Sequence, residues 1–91
     1  MSSRSDNCCV LVDTYESLQQ WDRVIETATQ MAKVFAEDDY YAPRAIRDRA
    51  AAYIKKGLRV EAQADIRTLA ASDPGWAKWT RHLRKALAQG Q

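Results

Sequence analysis

Apolar residues recur along this chain at spacings of three and four positions, the period of an amphipathic α-helix. Five such stretches follow one another, and they predict helices at residues 8–19, 22–36, 42–56, 59–72 and 75–88. No stretch alternates apolar and polar residues long enough to predict a strand. We therefore predict an all-α fold in which short links make neighbouring helices antiparallel, as two helix hairpins followed by a closing helix.

Each helical stripe supplies residues that we expect in the core. In chain order they are Leu11, Val12, Tyr15, Leu18, Val24, Ile25, Ala28, Met31, Ala32, Phe35, Ile46, Ala50, Tyr53, Gly57, Ala62, Ile66, Leu69, Ala70, Trp76, Trp79, Leu83, Ala86 and Leu87. Charged residues occupy the opposite sides of the same helices. A chain of 91 residues buries one modest core, so we expect a single domain.

Turn-forming residues mark the ends of the predicted helices. Gly57 suits the end of a helix, since a left-handed backbone costs glycine little. Pro43 suits a first helical turn, where no N–H is needed. Asp22 and Asp73 are predicted N-caps of the second and fifth helices, and Pro74 follows directly after Asp73.

Small and aromatic residues hold characteristic positions in the third and fourth predicted helices. They are Ala50, Tyr53, Gly57, Ala62, Ile66, Leu69 and the pair Asp73-Pro74. This spaced set resembles one tetratricopeptide repeat, a helix pair of about 34 residues. The resemblance implies that Ala50 and Ala62 lie where two helices approach closely. Ile46 departs from the pattern at a position where tryptophan is commonest, and Leu69 departs where alanine is usual.

The first half of the chain resembles a degenerate earlier repeat. Tyr15 takes the aromatic position and Gln19 replaces the turn glycine, while the Tyr15-to-Tyr53 spacing is 38 residues rather than about 34. We expect the extra length in the link at 36–41. The implied organisation is a disordered segment 1–7, repeat one at 8–41, repeat two at 42–74, a capping helix at 75–88 and a frayed tail at 89–91.

A narrower likeness involves the third and fourth predicted helices alone. The residues that carry it are Ile46 to Arg49, Tyr53, Gly57 and Ala62 to Ile66. They are similar to the repeat-like helical tail that follows a transglutaminase-like core in some bacterial proteins. These 91 residues contain no such core, so the likeness implies no enzymatic activity.

Catalytic and cofactor chemistry finds little support in the residues. The only histidine, His82, is far from Cys8 and Cys9, and the chain has no glycine-rich phosphate loop. Adjacent cysteines form a strained ring if they bridge each other, so we expect reduced thiols and no metal site. The chain is predicted not to be an enzyme and to bind no cofactor. Its longest apolar run, Cys8 to Val12, is too short to cross a membrane, and with no recognisable signal peptide we expect a cytoplasmic protein.

The first helix of each tetratricopeptide repeat lines a concave groove that holds an extended peptide. Carried onto this chain, the resemblance implies a peptide-binding stripe on the third helix, formed by Arg44, Arg47, Ala51, Ile54 and Lys55. Its three cations predict an acidic segment or a carboxylate as ligand. Ala51 stands where the family holds a carboxylate with asparagine. The alternative is local pairing, in which Asp13 and Glu16 of the first helix neutralise Arg47.

The last predicted helix offers a second basic surface, formed by Lys78, Arg81, Arg84 and Lys85 beside His82. A basic amphipathic helix of this kind binds nucleic acid or an anionic membrane surface in some proteins, and we keep this as the alternative function. We expect its tryptophans, Trp76 and Trp79, to lie in the core.

Charge is divided unevenly between the two halves of the chain. Residues 1–42 hold three basic and eight acidic side chains, and residues 43–91 hold eleven basic and four acidic ones. Such halves can pair internally, stack between copies as a weak homo-oligomer, or present a basic surface to an acidic partner. The sequence therefore predicts an adaptor-like or chaperone-like module that binds another protein or peptide, and we expect an acidic ligand.

Overall fold

Five α-helices make up the described part of this computed structural model, which covers residues 4–38, 40–71, 75 and 77–89. They are α1 (Arg4–Ser17), α2 (Trp21–Val34), α3 (Tyr41–Lys56), α4 (Arg59–Ala70) and α5 (Ala77–Gln89). The described residues include no strand, which confirms the all-α class. Side chains are described from Val10 onward within these ranges, except that of Ala77.

The helix boundaries differ from the predicted ones at several places. α1 begins at Arg4, so residues 4–7 are helical where disorder was predicted, and α5 continues to Gln89. Gln20, rather than Asp22, is the N-cap of α2, because the helix begins one residue before Asp22. The predicted cap at Asp73 and Pro74 lies outside the described residues.

The link between α2 and α3 is held by a side-chain cap. Asp38 Oδ1 accepts hydrogen bonds of 2.8 Å from the backbone N–H groups of both Tyr40 and Tyr41. These amides belong to the start of α3, where backbone donors have no helical partner. Pro43 lies in the first turn of α3, as predicted.

The turns after α1 and α3 have the same backbone conformation. Gln19 and Gly57 both adopt a left-handed backbone, with φ of 58° and 78°. In each turn the next residue, Gln20 or Leu58, donates its N–H to a tyrosine carbonyl, at 2.9 Å to Tyr15 and 2.8 Å to Tyr53. These bonds satisfy carbonyls left open at a helix end. Gln19 thus occupies the conformation that Gly57 occupies 38 residues later.

Two hydrophobic clusters form the core, and α3 contributes to both. The first contains Val12, Val24, Ala28, Met31, Ala45 and Ala52. The second contains Ala50, Ala62, Ile66, Leu69, Leu83 and Leu87. α3 therefore lies between the α1–α2 pair and the α4–α5 pair.

The same spacing of 38 residues relates buried positions in the two helix pairs. Each buried residue of α1 and α2 has a buried counterpart in α3 or α4, and the pairs are Val12 and Ala50, Val24 and Ala62, Ala28 and Ile66, and Met31 and Leu69. The α1–α2 pair and the α3–α4 pair therefore share the position of the left-handed turn residue and the positions of these buried residues.

Three large residues expected in the core are exposed instead, as are the small residues Gly57 and Ala70 of the same apolar stripes. Leu11 and Leu18 of α1 are 45% and 60% exposed, and among the α1 side chains that the structure describes, residues 10–17, Val12 is the fully buried one. α1 packs mainly on α2, so only one side of its described part is covered. Trp79 is 40% exposed because α5 directs Thr80, Leu83 and Leu87 at its neighbours. Trp76 lies outside the described residues.

A polar clasp joins three helices beside the second cluster. Arg49 of α3 donates through Nε and Nη2 to both carboxylate oxygens of Asp65 in α4, at 2.8 and 2.7 Å. Its Nη1 donates to Thr29 of α2 at 3.1 Å. The Asp65 carboxylate is buried, and the paired guanidinium offsets the cost of removing it from water.

We predict that Ala50→Leu destabilises the protein by about 1–3 kcal/mol, because the added carbons overpack the contact between α3 and α4. Ala50 is fully buried in the second cluster. Urea denaturation measures the free energy of unfolding. Ala64→Leu is the matched control: Ala64 is exposed on α4, so the same change there should cost less than about 0.5 kcal/mol. Equal stability of the two variants would contradict a tight helix contact at Ala50.

Candidate functional site

A groove follows α3, with α1 and α5 on its two sides. It consists of two adjoining concave regions that share Ala51, His82 and Leu83. We call the first the Trp79 end, where Glu16, Arg47, Asp48 and Trp79 complete the lining. We call the second the Lys55 end, where Ile54, Lys55, Ala86 and Gln89 complete the lining.

Two arginines, one in the Trp79 end and one next to it, are paired with carboxylates. Arg47 donates through Nε and Nη2 to Asp48 Oδ1, at 3.2 and 3.0 Å. Arg44 Nη2 donates to Asp13 Oδ1 at 3.4 Å, and its Nε lies 3.7 Å from Asp48 Oδ2. The alternative predicted from the sequence is local pairing of Arg47 with Asp13 and Glu16. The direct partner of Arg47 is Asp48, whereas Asp13 pairs with Arg44, and Glu16 lies near enough for the charges of both arginines to oppose the rise of its pKa.

Trp79 of α5 closes over this ion-pair group. The guanidinium carbon of Arg47 lies 4.5 Å from the centre of the Trp79 ring, a cation–π contact. His82 meets the same ring edge-on, with centroids 6.2 Å apart. Trp79 therefore connects α5 to α3 at the groove instead of filling the core.

Burial changes the acidity of two carboxyl groups here. Desolvation raises the pKa of Asp48, and the pairing with Arg47 opposes that shift. Desolvation also raises the pKa of Glu16, and the neighbouring carboxylates of Asp48 and Asp13 raise it further. The charges of Arg47 and Arg44 oppose the rise at Glu16, so burial is the main reason why both carboxyl groups hold their protons more tightly than in water.

The Lys55 end is simpler and more apolar. Ala51 and Ile54 are half-buried and Leu83 is buried, so they form a floor between α3 and α5. Lys55 is exposed at the rim, and no ion pair to it exists among the described residues. The concavity has a volume of about 490 Å³, within the range of small-ligand sites.

The structure brings together four of the five predicted peptide-binding residues. Ala51, Ile54 and Lys55 line one end of the groove and Arg47 lines the other. Arg44 does not line the groove and is held by the carboxylates of Asp13 and Asp48. The sequence interpretation missed Asp48, Trp79, His82 and Leu83 as groove residues. The spacing of four between Arg44 and Asp48 is a detectable ion-pair signal. The contribution of α5 has no such local signal.

The alternative basic surface lies on the outer sides of α5. Lys78, Arg81, Arg84 and Lys85 are all exposed. Leu83 and Leu87 are buried against α3 and α4, so the apolar side of this amphipathic helix is already used in the core. The described part of the chain holds no helix long and apolar enough to cross a membrane.

Side chains of the types that ligate metals are not grouped together in the described residues. These residues contain no group of three or more histidine, cysteine, aspartate or glutamate side chains that could hold a metal ion. The side chains of Cys8 and Cys9 lie outside the described part, so the expectation of reduced thiols stays a prediction.

We predict that the free energy of unfolding falls as the pH rises above the ordinary pKa values of 3.8 for Asp48 and 4.5 for Glu16. Both pKa values are raised in the folded chain, which therefore holds protons that the unfolded chain has released. This stabilisation is fully present below the ordinary values and is lost as the pH passes the folded ones. Urea denaturation from about pH 3 to pH 7 measures the slope. The double variant Asp48→Asn, Glu16→Gln should show a shallower fall, and an unchanged slope would contradict the assignment.

No protein-family model, curated protein or solved structure matches this chain. The groove and the repeated helix pair are therefore interpreted from the chain's own residues. The two turns are 38 residues apart, and so are the members of each pair of buried residues, which is the internal observation that supports a repeated helix pair.

Proposed function

We propose that this chain is a tetratricopeptide-like interaction module that binds an extended peptide segment of another protein in the groove along α3. The single observation that carries the proposal is the Lys55 end, where an apolar floor meets an unpaired exposed cation within the described residues. The repeated turn conformation and buried positions support a tetratricopeptide-like pair of hairpins with α5 as the capping helix. In such an array α1, α3 and α5 form one side, which is the side that bears the groove.

The chemistry of the Lys55 end defines the ligand. An apolar side chain of the peptide packs on Ala51 and Ile54, because these half-buried side chains are the uncovered part of the apolar floor above Leu83. An acidic side chain or a terminal carboxylate then pairs with Lys55 at the rim. Arg44 and Arg47 contribute less than the sequence suggests, since a ligand would have to displace Asp13 or Asp48 from them.

The residues described in the groove support binding rather than catalysis. Its titratable residues form ion pairs or stand apart on the rim, with no nucleophile held beside a base among the described residues. The proposal is therefore a binding function, without a cofactor.

The groove is tested by reversing one charge at its rim and, as a control, one charge on the exposed side of α2. A random heptapeptide phage library selected on the wild-type protein supplies the probe, and fluorescence anisotropy of a synthetic selected peptide measures its Kd. Lys55→Glu should weaken binding about five- to tenfold, because a screened attraction becomes a repulsion. Lys33→Glu makes the same charge change on the exposed side of α2 and should leave Kd unchanged. Equal weakening by both would show a general charge effect and contradict the groove.

A second candidate function is supported by α5. Residues 77–89 contain no acidic side chain, and four exposed cations, Lys78, Arg81, Arg84 and Lys85, remain after its leucines are buried. The phosphate backbone of a nucleic acid fits this surface better than lipid does, because burial of Leu83 and Leu87 removes the apolar side that insertion requires.

We predict a steep salt dependence if α5 binds nucleic acid. Four neutralised phosphates give a slope of log K against log salt of about −3 to −4 for duplex DNA. The double variant Lys78→Glu, Lys85→Glu should abolish such binding, with Lys33→Glu again as the control. Anisotropy of a labelled duplex at two salt concentrations measures both effects. Loss of peptide binding in the α5 variant, with Lys55→Glu unaffected, would instead place the peptide on α5.

A further inference from the structure

The two ends of the groove differ in charge. The Trp79 end collects three carboxylates, Asp13, Glu16 and Asp48, around two guanidinium groups. Asp13 and Asp48 pair with those guanidinium groups, and no ion pair to Glu16 is formed among the described residues. Arg47 and Arg44 attract Glu16 from a distance. Among the described residues, Glu16 is therefore the carboxylate of this end that has no direct ion pair, and Lys55 is the corresponding cation of the other end.

We propose that Glu16 binds a lysine or arginine side chain of the peptide ligand, so that the groove selects segments with a basic and an acidic residue at a defined spacing. This inference rests on the proposed peptide-binding function and adds the charge pattern of the partner. Glu16 is half-buried in the lining of the groove, where a cation can reach its carboxylate from solvent. Partial burial strengthens such a pair relative to one in open water.

Trp79 provides the apolar part of the same subsite. Its ring is 40% exposed and lines the groove beside Glu16. Lysine and arginine side chains carry an aliphatic stem that packs on apolar surface while the charged end stays polar. Arg47 stays stacked on the Trp79 ring and paired with Asp48. The stem therefore packs on the part of Trp79 that remains exposed, while the cation reaches Glu16.

The length of α3 sets the spacing that the ligand must have. Arg47 lies beside the Glu16 subsite and Lys55 eight residues further along the helix, a separation of about 12 Å at about 1.5 Å per residue. An extended peptide advances about 3.3 Å per residue. The basic and acidic residues of the ligand are therefore expected about four positions apart, with an apolar residue between them over the floor.

The experiment selects peptides on matched protein variants. The same random heptapeptide library is panned on wild type, Glu16→Gln, Lys55→Gln and the control Glu26→Gln, which neutralises an exposed acid on α2. Wild type and the control should enrich peptides with both charges at that spacing. Glu16→Gln should lose the preference for the basic residue and keep that for the acidic one. Lys55→Gln should do the reverse.

A change in the peptide tests the role of Glu16 without altering the stability of the protein. In the selected sequence the arginine is replaced by citrulline, which has the same shape without the charge. Citrulline should weaken binding to wild type about tenfold, the effect of losing a charged hydrogen bond, and should change binding to Glu16→Gln less than about twofold.

The outcomes distinguish two failures. If peptides depend on Lys55 but show no basic preference, or if citrulline binds wild type as tightly as arginine, the role of Glu16 is overturned and the peptide groove remains. If no peptide is enriched on wild type above the variant Ala51→Glu, whose side chain obstructs the floor shared by both ends, the peptide groove itself is overturned.

Discussion

The close packing of α3 against the helices on both sides depends on alanine. Ala45, Ala50 and Ala52 are fully buried, two in the first cluster and one in the second. The distance between packed helices is set by the side chains at the contact, so methyl groups here let the backbones approach closely. That approach places both α1 and α5 near the remaining side of α3. The groove is the consequence, since it is the side of α3 that no helix covers.

Ion pairs then fix how α1, α3 and α5 face one another. The Arg44–Asp13 pair links α3 to α1, and the Arg47–Trp79 contact links α3 to α5. Asp48 stands between the two arginines and is almost fully buried. A carboxylate removed from water is costly unless it is paired, so this arrangement favours one relative placement of the helices over others. It also pairs Arg44 and Arg47 with carboxylates, whereas Glu16 and Lys55 have no direct ion pair within the part of the chain that the structure describes.

Two different residues, Gln19 and Gly57, adopt the same left-handed conformation in the repeated turn. Gly57 adopts its left-handed conformation at little cost, whereas Gln19 adopts nearly the same φ with a side chain that makes it unfavourable. Equivalent hydrogen bonds from Gln20 and Leu58 close both turns. The packing of the buried residues on either side, repeated at the same spacing of 38, holds Gln19 there. Tertiary contacts thus override the local preference of glutamine.

The sequence by itself determined five helices, the turn at Gly57 and most buried positions of α2 and α4, because a period of 3.6 residues and the backbone freedom of glycine are local properties. It also marked Ala51, Ile54 and Lys55 as one side of α3. Only the tertiary structure decided which side of α1 is covered, that Trp79 lies over Arg47, and that Asp48 neutralises the arginines. Those outcomes depend on which surfaces meet. Apolar periodicity describes each helix alone and contains no information about the neighbour that α1 lacks or about the side chains that α5 brings to the groove.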